Sequence, residues 1–327
     1  MSKKKLKLDL RVLAPLSILV LVVVLFTILT KGALLSAYNL QNILNQTIPT
    51  IIAGMGMIFV ISMGGTDISH GSLVALSGGL AVIAATKLSS ALLFPVAILV
   101  GAASGTFVGF VNTKFKVPSF MITLSMNIAL RALVNVIIGA QTFQMPKSSR
   151  VLINSIPFKL IAIIVLLVII TYIFNYTRFG LYVKSIGENE NAVRYAGIKV
   201  NKVKIFAFVI SGIMASIAGI FTVARVGGVN NTLASSFEMR IMMALFVAGV
   251  PVKGGLESKL YKLFIGAPLI TILESGMVLC GVSGSLTQAV RGLVLICAVY
   301  LTRYMSNNFS EINDKNNILD SNEAVAE

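Results

Sequence analysis

Charged side chains set within apolar sequence are where this chain could do chemistry, and they are few. Glu274 lies inside the apolar run at 260–280. A carboxylate there could pair with Arg240 or Arg291, or accept hydrogen bonds from the hydroxyls of a passing molecule. Arg131 lies inside the run at 120–140, where it either ties down backbone carbonyls or lines a path. Asp67 stands in the segment Gly64-Gly65-Thr66-Asp67-Ile68-Ser69-His70-Gly71-Ser72. It can cap a helix beginning near Ser69. The glycines on either side permit bending, which makes Gly65, Asp67 and Ser69 candidates for a gate.

The sequence has no G-x-x-x-x-G-K-[ST] phosphate loop, no nucleophile elbow and no Cys/His metal cluster, its single histidine being His70. Proton-driven carriers need acids or histidines at membrane depth, and only Glu274 sits clearly inside an apolar run. Cys280 and Cys297 both fall in apolar runs and read as small packing residues rather than a disulfide framework. No catalytic residue, metal or cofactor is therefore expected in the chain. Energy for any vectorial work has to come from a partner.

The polar stretch at 178–204 could meet such a partner. At its centre is Gly187-Glu188-Asn189-Glu190-Asn191-Ala192-Val193-Arg194-Tyr195-Ala196-Gly197. Asn189 can cap a helix, Glu190 suits its first turn, and Gly197 can close it in the left-handed conformation. Glu190 and Arg194 are spaced to pair at i, i+4. The expected product is a helix of about two turns, too short to persist alone in water and so packed against something.

The elements that must position these residues are membrane helices. Of 327 residues, 56% are hydrophobic and only 12% charged, about half the charged fraction of a soluble domain. Apolar runs recur at 12–30, 48–64, 71–86, 91–111, 120–140, 159–177, 205–225, 239–252, 260–280 and 285–303. The expectation is an all-α integral membrane protein of about ten transmembrane helices. The third and eighth runs are shorter than the ~17 residues a crossing needs and are expected to be short or broken helices near a pore. The boundaries expected are a basic stretch 1–11, a membrane domain 12–303 and a polar tail 304–327. The first run is longer than the ~7–15 apolar residues of a signal peptide and is read as a retained span.

With ten crossings and both termini inside, 18 Lys and Arg fall on the cytoplasmic side and 5 outside. That bias follows the positive-inside rule. It explains the net charge of +15 without nucleic acid, for which aromatic-interleaved basic stripes are missing. Gly101, Gly105 and Gly109 form one row of small residues; Gly212 with Ser216, and Ala215 with Gly219, form two more. Such rows let membrane helices approach closely.

Four stretches carry a family resemblance. The segment from Gly180-Leu181-Tyr182 through Gly187–Gly197 to Val200 resembles the cytoplasmic loop of the ribose/sugar-type ABC importer permeases. Residues 64–72 resemble that family's G-G-[IT]-D-L-S-x-G-S hairpin. Val117-Pro118-Ser119-Phe120-Met121-Ile122-Thr123-Leu124 with Arg131 is similar to its P-P-F-I-x-T-L…R-G stretch, and Ala215–Ile220 with Ala224-Arg225 to its L-A-G-I…A-R stretch. The resemblance spans about residues 40–302. It implies the ABC importer permease fold, working as a permease homodimer or heterodimer in the cell membrane. Its partners would be a cytoplasmic ATP-binding subunit that uses the ATP and an extracytoplasmic solute-binding protein. Gly187, Glu188, Asn189, Glu190, Ala192, Arg194, Tyr195 and Gly197 would contact the ATPase. The chain departs from the family at 249–256, at Ala132, and at Glu274-Ser275, where relatives often carry Asn-Asn. The solute stays open among pentoses, hexoses, sugar-like signals and polyols. An ion-gradient carrier and a non-transporting scaffold are the rival readings.

Overall fold

A computed structural model describes residues 10–139 and 141–300 of the chain. The tail at 304–327, and all but the last two residues of the basic stretch 1–11, lie outside the described residues.

Twelve helices account for the fold among the described residues. They are α1 (Leu10–Leu29), α2 (Ala37–Ser62), α3 (His70–Lys87), α4 (Leu93–Phe115), α5 (Ser119–Ile138), α6 (Lys147–Asn154), α7 (Ile156–Thr171), α8 (Arg178–Tyr195), α9 (Val200–Val226), α10 (Phe237–Val247) and α11 (Leu263–Leu279), with α12 (Gly284–Tyr300). Six helical segments are long and apolar enough to cross a membrane: Ala37–Ser62, Ser90–Phe115, Ser119–Ile138, Ile156–Tyr176, Val200–Val226 and Leu260–Leu279. The other four expected spans fold as helices but fall short of that standard. Among them α10 has 11 residues, a rise of about 16 Å, half the hydrocarbon thickness.

The ends of their neighbours fix the direction of two of the shorter helices, α3 and α10. The C-terminus of α2 and the N-terminus of α5 meet at one end, where the Ser119 hydroxyl accepts from the Thr66 N–H at 3.1 Å. Between them α3 must therefore run to the far end and α4 return. Likewise α9 leaves this end and α11 starts from it, so the run of turns at 230–236 and α10 together connect the far end of α9 back to the start of α11. Near the far end, β1 (Phe143–Gln144) pairs antiparallel with β2 (Gly228–Val229) and fixes the start of that stretch.

α2 and α9 are the enclosed helices and α7 the most exposed. Ile52, Met55 and Phe59 on α2 and Phe221 on α9 are fully buried; Phe59 packs on Phe174 and Phe179, and Phe221 on Phe158. Leu21, Ile28, Val136, Ile161 and Val168 point outward at more than half exposure, the pattern of side chains that meet acyl chains rather than water. Small-residue packing holds the centre. A Cβ at Gly109 would stand 2.8 Å from the Ile205 Cα, and Gly101 and Gly105 press on the Gly212 and Phe208 carbonyls. Gly219 faces α3 instead, where a Cβ would meet the Val74 carbonyl at 2.8 Å. The rows on α9 thus serve two different neighbours. The cysteines depart from expectation: Cys280, just past the end of α11, and Cys297 on α12 are exposed rather than packed in the interior.

Candidate functional site

The stretch at 178–204 is mostly helical. α8 runs to Glu188, breaks at Asn189 (φ −157°, ψ 98°) and resumes. The Asn189 Oδ1 accepts from the Ala192 N–H at 3.0 Å, and Gly197 adopts φ +79°. The cap and the stop are those expected. The helix between them is exposed: Tyr195 is 90% accessible. Glu190 binds Arg194 at 2.8 Å and Lys204, on the second turn of α9, at 2.7 Å. Burial pushes the Glu190 carboxyl up, but the hydrogen bonds and charges of Lys204 and Arg194 outweigh it and hold it below its ordinary value. Lys184, further back on α8, lies over the Phe174 ring and donates to the Phe174 carbonyl at 2.9 Å. Burial, with Lys259 adding to it, lowers its pKa.

Glu188 joins this helix to the rest of the bundle. Its Oε1 accepts from the Leu256 N–H at 2.8 Å. Gly255 donates to the Ser62 carbonyl at 2.9 Å, and Gly187 packs against both Ser62 and Gly255 with no room for a side chain. Gly64 (φ +76°) abuts the Lys253 carbonyl. The short helix, the turn before α11 and the end of α2 are therefore one contact network.

The network continues into the 64–72 hairpin. Asp67 does not cap α3 as expected; the cap residue is Ser69, without a side-chain cap bond. Instead the Asp67 Oδ1 accepts from the Ser69 N–H (3.1 Å) and hydroxyl (2.6 Å), one step ahead of the helix. The Asp67 Oδ2 accepts from the Ser211 hydroxyl of α9 at 3.1 Å. Ser211 Oγ also lies 3.2 Å from His70 Nε2, and His70 Nδ1 is 3.5 Å from the same carboxylate. These residues have the composition of a nucleophilic triad, but not its geometry. The serine meets the carboxylate directly, and Ser211, His70 and Asp67 are at most 3% exposed. No substrate can reach them. The cluster locks the hairpin and α3 against α9, while the Ser72 hydroxyl ties α3 to Asn127 on α5.

Arg131 and Glu274 act elsewhere. The Arg131 Nη1 donates to the carbonyls of Asn231 (3.1 Å) and Leu233 (3.0 Å), so it holds the 230–236 stretch by its backbone. Glu274, 4% exposed, binds Arg240 of α10 at 2.6 Å and Arg291 of α12 at 2.7 Å, which joins three helices. The stretch that Arg131 holds borders a cavity of about 310 Å³, which Gln46, Pro49, Thr222, Arg225 and Arg240 also line. Neither Arg131 nor Glu274 lines it; both fix its walls.

Gly65, Asp67 and Ser69 thus share the end of the bundle occupied by the 187–197 helix, whereas Arg131 and Glu274 serve the cavity. The sequence offers no site signal for His70, Ser211, Glu238 or Lys159, and Arg225 enters it only through the family resemblance. Lys159 is 3% exposed and donates to Asn45 (2.6 Å) and Asn154 (2.9 Å). Glu238 is 7% exposed and sits against Gly71, so Glu274 is not alone as an enclosed acid. The charge of Arg225 was the available signal, since a cation at the end of an apolar run needs a stated partner.

The sequence compares with known proteins over most of its length. It is 33% identical to the ribose import permease RbsC of Escherichia coli K12 across 80% of this chain and 84% of that one. It is 31% identical to RbsC of Bacillus subtilis (90% and 93%) and 28% to the xylose transport system permease XylH of Haemophilus influenzae (90% and 96%). No solved structure matches. The family model described as branched-chain amino acid transport system / permease component matches residues 39–299, so the chain belongs to that permease family of integral, multi-pass membrane proteins.

Proposed function

We propose that this chain is the membrane-spanning permease subunit of an ATP-driven ABC importer and forms the translocation pathway for a sugar or sugar-like solute. The relatives named for ribose and xylose support the solute class. The 187–197 helix seats in a cytoplasmic ATP-binding subunit, which hydrolyses the ATP; the chain itself has no catalytic role. A solute-binding protein delivers the solute at the opposite end, and a second permease chain, identical or related, completes the pathway. About ten crossings with both termini cytoplasmic fit this arrangement and the charge bias of the loops.

The observation that carries the reading is the Glu188–Leu256 hydrogen bond with the Gly255–Ser62 bond beside it. Through them a push on the exposed helix reaches the end of α2 and the Asp67 hairpin without crossing a flexible loop. A contiguous set of bonded elements is what alternating access needs if ATPase closure is to select between inward- and outward-facing states. The test is Glu188→Ala in the assembled complex reconstituted in vesicles. ATP hydrolysis should persist while solute uptake per ATP falls at least about tenfold, equivalent to losing roughly 1.4 kcal/mol of coupling. An unchanged ratio of uptake to hydrolysis would remove this helix from the coupling route.

One set of residues favours a second reading. Asp67, His70 and Glu238 are enclosed and titratable, as an ion-gradient carrier would require. Uptake into vesicles holding this chain alone, driven by a proton or sodium gradient without ATP, would establish that reading and displace the first.

A further inference from the structure

The cavity between α2, α9 and the 230–236 stretch is where the charges of the bundle do not balance. Arg225 and Arg240 line it together with Gln46, Asn230, Thr232 and Ser235. Arg225 is within electrostatic reach of Arg240, of Lys159 and of Glu274, and Arg291 joins the group through Glu274. Arg225, Arg240 and Arg291 therefore share one carboxylate among the described residues, with Lys159 a further cation beside Arg225. Glu274 is committed to Arg240 at 2.6 Å and Arg291 at 2.7 Å. Lys159 is satisfied by two neutral asparagines. Arg225 is left over, with its Nε buried and no acceptor for it.

A guanidinium enclosed at the end of a membrane helix is costly and is retained where it meets a counter-charge. Its planar fork matches the oxygens of a phosphate or carboxylate. The volume, about 310 Å³, lies at the lower end of small-molecule pockets, and amide and hydroxyl side chains supply the neutral partners that a polyol needs. We propose that this cavity receives a sugar-like solute bearing an oxyanion, a phosphate or a carboxylate, which Arg225 binds with help from Arg240. The solute class rests on the reading of the chain as a sugar-type permease. The binding site does not rest on ATPase coupling, so the two fail separately.

The test is thermal unfolding of the full chain in nanodiscs of phosphatidylcholine, in chloride buffer of constant ionic strength, with ribose, ribose 5-phosphate or ribonate added. The phosphorylated and carboxylated sugars should each raise the midpoint by roughly 2–4 °C near saturation, and ribose should raise it by much less. Arg225→Gln should abolish the difference, while Lys87→Gln, an exposed cation at the end of α3, should leave it intact. If Arg225→Gln does not fold, Arg225→Lys carries the test, because an ammonium keeps the charge and loses the fork. Its half-saturating concentration for ribose 5-phosphate should rise at least about tenfold. Equal shifts with ribose, no shift with either anion, or an unaltered response in the Arg225 variants would each overturn the assignment. So would a wild-type midpoint that rises in phosphatidylglycerol nanodiscs and no longer responds to ribose 5-phosphate, which would make a lipid headgroup the anion.

Discussion

Glu274 shows how one side chain can carry more structure than its sequence position suggests. In an apolar run it reads equally as a counter-ion or as a group offered to the solute. The geometry gives it two arginines, one from α10 and one from α12, at 2.6 and 2.7 Å. A carboxylate already engaged twice has little capacity left for a passing hydroxyl. Replacing it by Gln keeps the shape and removes the charge, which leaves Arg240 and Arg291 enclosed without a counter-ion. Breaking a buried pair from one side costs about 3–5 kcal/mol. Glu274→Gln should therefore destabilise the folded chain by about 3 kcal/mol in denaturant titrations. Arg240→Gln made together with it should cost less than the sum of the two singles, because the second change removes one of the orphaned cations. Additive costs would mean that the pairs contribute nothing. Arg131 resolves the same kind of ambiguity in the other direction: it binds two backbone carbonyls and shapes a wall without touching the cavity.

The helix at 190–195 was legible because its signals are local. An asparagine cap, an acid in the first turn and a terminal glycine lie within nine residues, and each acts on its nearest backbone neighbours. Asn189→Ala should cost this helix about 1 kcal/mol, seen as faster amide exchange from Glu190 to Tyr195 with the rest of the bundle unchanged. Ala192→Trp on the exposed face should uncouple ATP hydrolysis from transport in the assembled complex; normal coupling would place the ATPase elsewhere. The Glu190 pairs set the pH range of such experiments. Their carboxyl is held below its ordinary value of 4.5, so their contribution is complete above that value and is lost as the pH falls through the lowered one. Coupling should stay flat from about pH 5 to 8 on this account. The Asp67–Ser211–His70 cluster was not legible, because 144 and 141 residues separate Ser211 from its partners and no local pattern announces a contact between α3 and α9. The shortness of α10 was legible only as a shortage of apolar residues. The route by which residues 230–236 complete it depends on Arg131, one hundred residues earlier in the chain.

The whole molecule is a charge-polarised bundle, and its polarity makes the orientation testable. Contacts place residues 62–66, 119, 187–188 and 253–256 at one end. The β1–β2 pair marks the region of the other. The first end carries the basic loops around Arg178–Lys204 and Lys253–Lys262, whereas the second carries Lys31, Lys87 and Lys147. Positive loops are retained on the cytoplasmic side during insertion, so the first end should face the cytoplasm together with the exposed 190–195 helix. Cys280 and Cys297 are exposed and must be changed to Ser before probes are introduced. In that background, Lys147→Cys should react with a membrane-impermeant maleimide in intact cells, and Lys199→Cys only in inverted vesicles. The two sites lie in exposed polar segments at opposite ends, so neither variant should disturb packing. Labelling of Lys199→Cys in intact cells would place the basic loop at 178–204 on the outer face. The 190–195 helix would then lie outside with Lys199, out of reach of any cytoplasmic ATPase, and the importer reading would fall with the orientation.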